Sequence, residues 1–104
     1  MRRVVVVRAS FVADVRAQVA WLRANDRRDW ILGLRSGLAE ARALLARAPA
    51  AGARIDERDG VELRKLVLRK LPFAAWYVVE DRSVCLLRLF HARQDRPRGT
   101  RARR

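Results

Sequence analysis

Apolar residues follow two different rhythms along this chain, and each rhythm predicts a different element. Val4-Val5-Val6-Val7 is a short β-branched run that reads as a first strand, buried on both faces. From Phe11 the apolar positions are Phe11, Val12, Val15, Val19 and Leu22, which is helical spacing. Ser10 stands where an N-cap hydroxyl is wanted, and Asp14 lies close to the positive end of that helix. The helix should reach about Ala24, where Asn25-Asp26 signals a turn. A second helix begins near Asp29, with a seam of Ile31, Leu34, Leu38, Ala41 and Leu45, and Pro49 ends it. Gly33 and Gly37 weaken this helix by roughly 1 kcal/mol each relative to Ala but permit close helix approach. So short a link between the two helices makes them an antiparallel hairpin.

Residues 49–60 are small, proline-containing and charged, and read as a loop closed by Asp59-Gly60. Three strand signals follow: Leu63 to Arg69, Phe73 to Glu80 after the break at Pro72, and Val84 to Phe90 after the turn Asp81-Arg82-Ser83. The expected fold is therefore α+β, in the order β-α-α-β-β-β. The helical hairpin packs on one face of a small, mainly antiparallel sheet. Strict alternation puts Val84, Leu86, Arg88 and Phe90 on one side of the last strand, and Cys85, Leu87, Leu89 and His91 on the other. On the strand before it, Phe73, Ala75, Tyr77 and Val79 oppose Ala74, Trp76 and Val78. Both faces are largely apolar, while two helices cover only one. The other face is thus expected to meet a partner chain; its own loop or a second copy are the alternatives.

At 104 residues there is room for one domain, over residues 1–96, with residues 97–104 as a basic extension expected to be disordered. Hydrophobic residues make up 51% of the chain, too many for a disordered polymer. Lys and Arg total 24 against 11 Asp and Glu, a net charge of +13. A field of that sign attracts nucleic acid, acidic proteins or anionic surfaces. Lys65 and Lys70 are the two lysines and the rest of the cations are arginine. That bias suits phosphate and carboxylate recognition, and a genome rich in G and C would produce it equally.

Cys85 is the single cysteine, so an intrachain disulfide is impossible, which suits a reducing compartment. It reads as core filler. The run Val4 to Val7 is too short for a signal peptide, and no stretch has the length of a membrane span; the expected location is the cytoplasm. One His and one Cys cannot build a zinc site, and no nucleotide-binding glycine pattern is present, so no metal and no cofactor are expected.

The informative cluster is basic. Arg64, Lys65, Arg69 and Lys70 lie on the first of the three later strands, and Arg88, His91, Arg93, Gln94 and Arg96 on and just past the last. If they converge they form an anion-binding patch, or simply a solvated basic edge. His91 among arginines could act as a general acid or base in phosphodiester cleavage, or merely end a strand. Trp21, Trp30 and Trp76 could stack on bases or anchor an interface.

The element order, the length and one long stretch together resemble the RelE/ParE toxin superfamily, its ParE-like branch in particular. That stretch runs Leu63-Arg64-Lys65-Leu66, then Leu71-Pro72-Phe73-Ala74-Ala75-Trp76-Tyr77-Val78-Val79, then Val84-Cys85-Leu86-Leu87-Arg88-Leu89-Phe90-His91-Ala92-Arg93-Gln94. The resemblance covers about residues 4 to 96. It implies the toxin of a type II toxin–antitoxin module, held inactive by a small acidic antitoxin and, in the ParE-like branch, directed at DNA gyrase. The RelE-like alternative is a ribosome-dependent messenger-RNA endoribonuclease. For that activity Arg64 and Arg93 match basic site positions and His91 would be the proton donor. The C-terminal tyrosine of that branch has no counterpart here, since Tyr77 lies mid-strand. Ala74-Ala75 stand where the family carries larger or basic residues. The implied target-binding residues are Arg64, Lys65, Arg69, Arg88, His91, Arg93, Gln94 and Arg96. The implied antitoxin-binding residues are Trp21, Trp30, Trp76 and Leu86.

Overall fold

The computed structural model describes residues 2–69 and 71–91. Lys70, Arg93, Gln94, Arg96 and the basic C-terminal extension lie outside the described residues. The elements are β1 (Val4–Val7), α1 (Ala9–Ala24), α2 (Arg28–Arg47), β2 (Ala53–Arg58), β3 (Val61–Val67), β4 (Phe73–Val79) and β5 (Ser83–His91). The five strands form one sheet in the order β1-β5-β4-β3-β2. Pairing is antiparallel except between β1 and β5, which the helical hairpin joins as a parallel crossover. The α+β class and the helical hairpin on one face are as the patterning predicts.

The expected seams bury as drawn. Phe11 and Leu22 of α1, and Ile31, Leu34, Ala41 and Leu45 of α2, join Phe73, Ala75, Tyr77, Val84, Leu86 and Leu89 of the sheet in a single core. α1 is capped by Arg8, two residues before the expected Ser10 cap. Ser10 is therefore inside the helix rather than its cap, and its hydroxyl donates instead to the Leu87 carbonyl at 2.7 Å. At the other end Asn25 Nδ2 donates to the Trp21 carbonyl at 2.8 Å, and Asp26 takes a left-handed φ of 56° to turn the chain. Gly33 and Gly37 do allow a close approach, but to Leu71 and Leu68 of the β3–β4 connection rather than to α1. A Cβ on Gly37 would stand 3.2 Å from Leu71 Cδ1.

Three expectations are corrected. The segment 49–60 is not all loop, since it contains β2. Every residue of β2 is exposed, so burial imposes no period-two pattern on it. What holds β2 is its ladder to β3, with Arg54 reaching across to Glu62 at 3.9 Å, and Asp59-Gly60, whose φ angles of 53° and 81° make a two-residue hairpin turn. β1 is not buried on both faces either. Val5 and Val7 pack inward, whereas Val4 and Val6 are 66% and 45% exposed. Finally, alternation along β5 is broken. Trp76 pairs with Arg88 but Tyr77 pairs with Leu86, so Leu87 is an extra residue, a β-bulge. Val84 and Leu86 point to the helices, and after the bulge so does Leu89, while Arg88 and Phe90 turn to the helix-free face with Trp76.

The chain leaving α2 is fastened by the sheet. Tyr77, with no solvent exposure, accepts from the Gly52 N–H at 2.9 Å and donates to the Pro49 carbonyl at 2.7 Å. Arg64, its cross-strand neighbour, donates to the Gly52 and Ala50 carbonyls at 2.6 and 3.2 Å. Gly52 is buried so tightly that a Cβ would lie 2.5 Å from the Lys65 carbonyl oxygen. Burial is the largest influence on the Tyr77 phenol and raises its pKa above the usual value. The unfolded phenol therefore ionises first, so stability is fully present below about pH 10 and falls as pH climbs beyond it. Tyr77→Phe is expected to cost about 1–3 kcal/mol in urea unfolding at neutral pH, because the Gly52 N–H loses its acceptor. The variant should also lack the phenol's share of the alkaline decline; an unchanged alkaline slope would contradict this role.

Candidate functional site

The β5 bulge organises the surface around it. Beyond Leu86, β5 outruns β1, and α1 takes over that side. Asp14, in the second turn of α1, projects one carboxylate onto the bulge. Its Oδ2 accepts from the Leu89 N–H at 2.9 Å and from Arg88 Nε at 2.7 Å, and its Oδ1 accepts from Arg88 Nη2 at 3.1 Å. The carboxylate pushes the Arg88 guanidinium further above its ordinary range, so the cation is permanent. The same guanidinium lies 5.2 Å over the Phe90 ring. Arg88 is thus fixed in place although its side chain is 50% exposed.

Two surfaces result. On the helix side, α1 and α2 diverge over the sheet and leave an apolar groove of about 280 Å³. Its walls include Phe11, Val12, Val15 and Leu38, its floor Ala75 and Leu86, and its rim Arg16 and Arg42. On the opposite side, Arg88, Trp76, Lys65 and Ala53 fall in one transverse row across β5, β4, β3 and β2. Trp76 meets Phe90 edge to face at 5.2 Å. Arg8 Nε lies 3.3 Å from Cys85 Sγ on this same face, and that contact raises the Arg8 pKa. Cys85 and Ala74, though buried, belong to this face and not to the core beneath the helices.

The residues singled out from the sequence are scattered by this geometry. Arg64 faces the helix side and is spent on residues 50–52 and on Glu62, at 2.8 Å, with its side chain 15% exposed. Lys65 and Arg88 face the other way, separated by β4, so a single convergent patch including Arg64 does not form. Arg69 is exposed just past β3. His91 pairs with Phe73 and sets its ring edge-on to that phenyl at 5.6 Å. Four residues and two strands separate it from Arg64, roughly 16 Å between backbones. Trp21, 56% exposed, and Trp30, half-buried under Arg27, sit at the tip of the helical hairpin, far in the topology from Trp76. Leu86 is 2% exposed, which removes it from any flat contact surface; what remains of it forms the floor of the groove. The sequence reading missed Asp14 as a clamp and Arg16 and Arg42 as rim residues. Asp14 alone carried a signal, an acid early in a helix, but that signal also fits simple dipole compensation.

No protein-family model matches the chain, and no curated protein matches it. A solved structure does. A chain of the chromosomal ParDE toxin–antitoxin system from P. aeruginosa shares the fold with a TM-score of 0.69, at 22% identity, over 86% of this chain and 96% of that one. The fold is therefore of the ParE-like kind that the sequence stretch from Leu63 to Gln94 resembles. No described helix is long and apolar enough to cross a membrane.

Asp14→Ala is expected to destabilise the chain by about 2–3 kcal/mol in urea unfolding, because the Leu89 N–H and the Arg88 fork lose their acceptor together. Asp14→Asn keeps one acceptor oxygen and should cost about half as much. Equal costs would mean that the backbone bond to Leu89 contributes nothing.

Proposed function

We propose that this chain is the toxin of a type II toxin–antitoxin pair, ParE-like in action. It inhibits DNA gyrase in the cytoplasm and is held inactive by a cognate acidic antitoxin. The observation that carries the reading is the fold, shared over nearly the full length with a chain from a ParDE system. The groove between α1 and α2 fits the neutralising partner. An apolar trough with Arg16 and Arg42 on its rim suits an amphipathic segment bearing carboxylates, and a net charge of +13 draws such a partner in.

The ribonuclease alternative needs Arg64 and His91 in one site. The distance between them, and the engagement of Arg64 with residues 50–52, favour inhibition by docking over cleavage.

Inducible expression in a bacterium tests the reading. The expected outcome is growth arrest with filamentation and DNA breaks, while messenger RNA stays intact and translation continues at first. Co-expression of the acidic partner should restore growth, and Arg16→Glu with Arg42→Glu should weaken capture of that partner about tenfold or more in a binding assay. Early loss of translation with cleaved messages, abolished by His91→Ala, would replace the gyrase reading with the ribonuclease one.

A further inference from the structure

We propose that the outer face of the α1–α2 hairpin docks on an anionic lipid surface, with Arg16, Arg23, Arg28, Arg35 and Arg42 against headgroup phosphates and Leu32 inserted among the headgroups. The inference rests on spacing. Arg28, Arg35 and Arg42 recur every seven residues along α2, and Arg16 and Arg23 are seven apart on α1. Seven residues make nearly two helical turns, so each set forms a straight row with a step of about 10.5 Å. Arg16 and Arg42 rim the same groove, which puts the two rows on the flanks where the helices face each other. Arg23 and Arg28 bracket the link at the other end of the hairpin. All five are exposed, and no guanidinium among them is held in an ion pair by a described residue.

The acids of the two helices do not offset these rows. Asp14 is spent on the β5 bulge. Asp29 and Glu40 fall, by helical spacing, on the shoulder of α2 that carries Gly33 and Gly37, and those glycines face Leu71 and Leu68 rather than α1. The uncompensated charge is therefore spread over a surface, in two rows, instead of along one line. Leu32 decides which anion fits. It stands between Arg28 and Arg35, four residues from one and three from the other, and is 71% exposed. A bare polyanion would use the guanidiniums and gain nothing from this aliphatic side chain. An acidic peptide would bury its apolar residues in the groove at the Arg16 end, which Leu32 does not line. A bilayer interface takes both groups: guanidinium forks bind headgroup phosphates, while the aliphatic side chain enters the boundary with the acyl chains.

This docking goes beyond the toxin reading and does not depend on it; the test uses neither gyrase nor an antitoxin. Full-length protein is mixed at about 0.15 M salt with vesicles of phosphatidylcholine, alone or blended with phosphatidylglycerol, and the bound fraction is read by flotation. The expected result is binding to the blended vesicles and none to the neutral ones. A net charge of +13 is attracted to any anionic surface, so the decisive comparison holds total charge equal. Arg28→Glu with Arg35→Glu should weaken vesicle binding about tenfold or more, whereas Arg58→Glu with Arg82→Glu, at exposed turns of the sheet, should weaken it less than about threefold. Arg28 and Arg35 are the pair altered because Arg16 and Arg42 also edge the groove. Leu32→Ser, which leaves the charge alone, should weaken binding about threefold or more. Each variant is compared with its circular dichroism unchanged. Absence of binding to the blended vesicles would overturn the proposal. So would equal losses in the two double variants, or an affinity indifferent to Leu32→Ser. Polyglutamate binding lost in Arg28→Glu with Arg35→Glu while vesicle binding persists would assign the two rows to an acidic protein instead.

Discussion

One carboxylate decides which way the last strand faces. Without the extra residue at Leu87, alternation would carry Arg88 and Phe90 into the core and turn Leu89 outward, where it would waste its burial. The bulge avoids this, but it leaves a backbone N–H and C=O out of the ladder at a position that α1 covers. Asp14 accepts the Leu89 N–H, and Ser10 donates to the Leu87 carbonyl. A pair of helical residues four apart thus repairs the ladder where β1 has ended. The same carboxylate then orients Arg88, so the interaction that completes the core also arranges the exposed face.

This dependence explains what could be read from the sequence and what could not. The helical seams were legible because Phe11, Val15, Leu22 and the α2 set repeat with the helix period and bury accordingly. β4 was legible too: Phe73, Ala75 and Tyr77 alternate and do face the helices. The second half of β5 was not, because a bulge is a one-residue change of phase with no composition of its own. Leu87-Arg88-Leu89 fits strict alternation as well as it fits the bulge. β2 was hidden for the opposite reason. Ala53–Arg58 buries no face and so carries no pattern, although Asp59-Gly60 behind it is a hairpin signal. Arg64 shows how far residue type falls short. It reads as an anion ligand, yet its guanidinium is spent on carbonyls near the end of α2, which only the fold could reveal.

The sheet therefore presents two unlike surfaces. The helix side offers an apolar trough edged by Arg16 and Arg42, suited to an amphipathic chain. The other side carries the edge-to-face pair of Trp76 and Phe90, with the Arg88 guanidinium over the Phe90 ring and held by Asp14. The net charge of +13 adds an attractive field for anionic molecules over the molecule as a whole.

The most direct test of this account is amide hydrogen exchange at Leu89. If the Asp14 carboxylate closes the bulge, the Leu89 amide exchanges as slowly as the central ladder amides of β4. In Asp14→Ala it becomes fast while those ladder amides stay slow. A Leu89 amide that exchanges rapidly in the unaltered protein, or one whose protection survives Asp14→Ala, would contradict the claim that this carboxylate sets the two faces of the sheet.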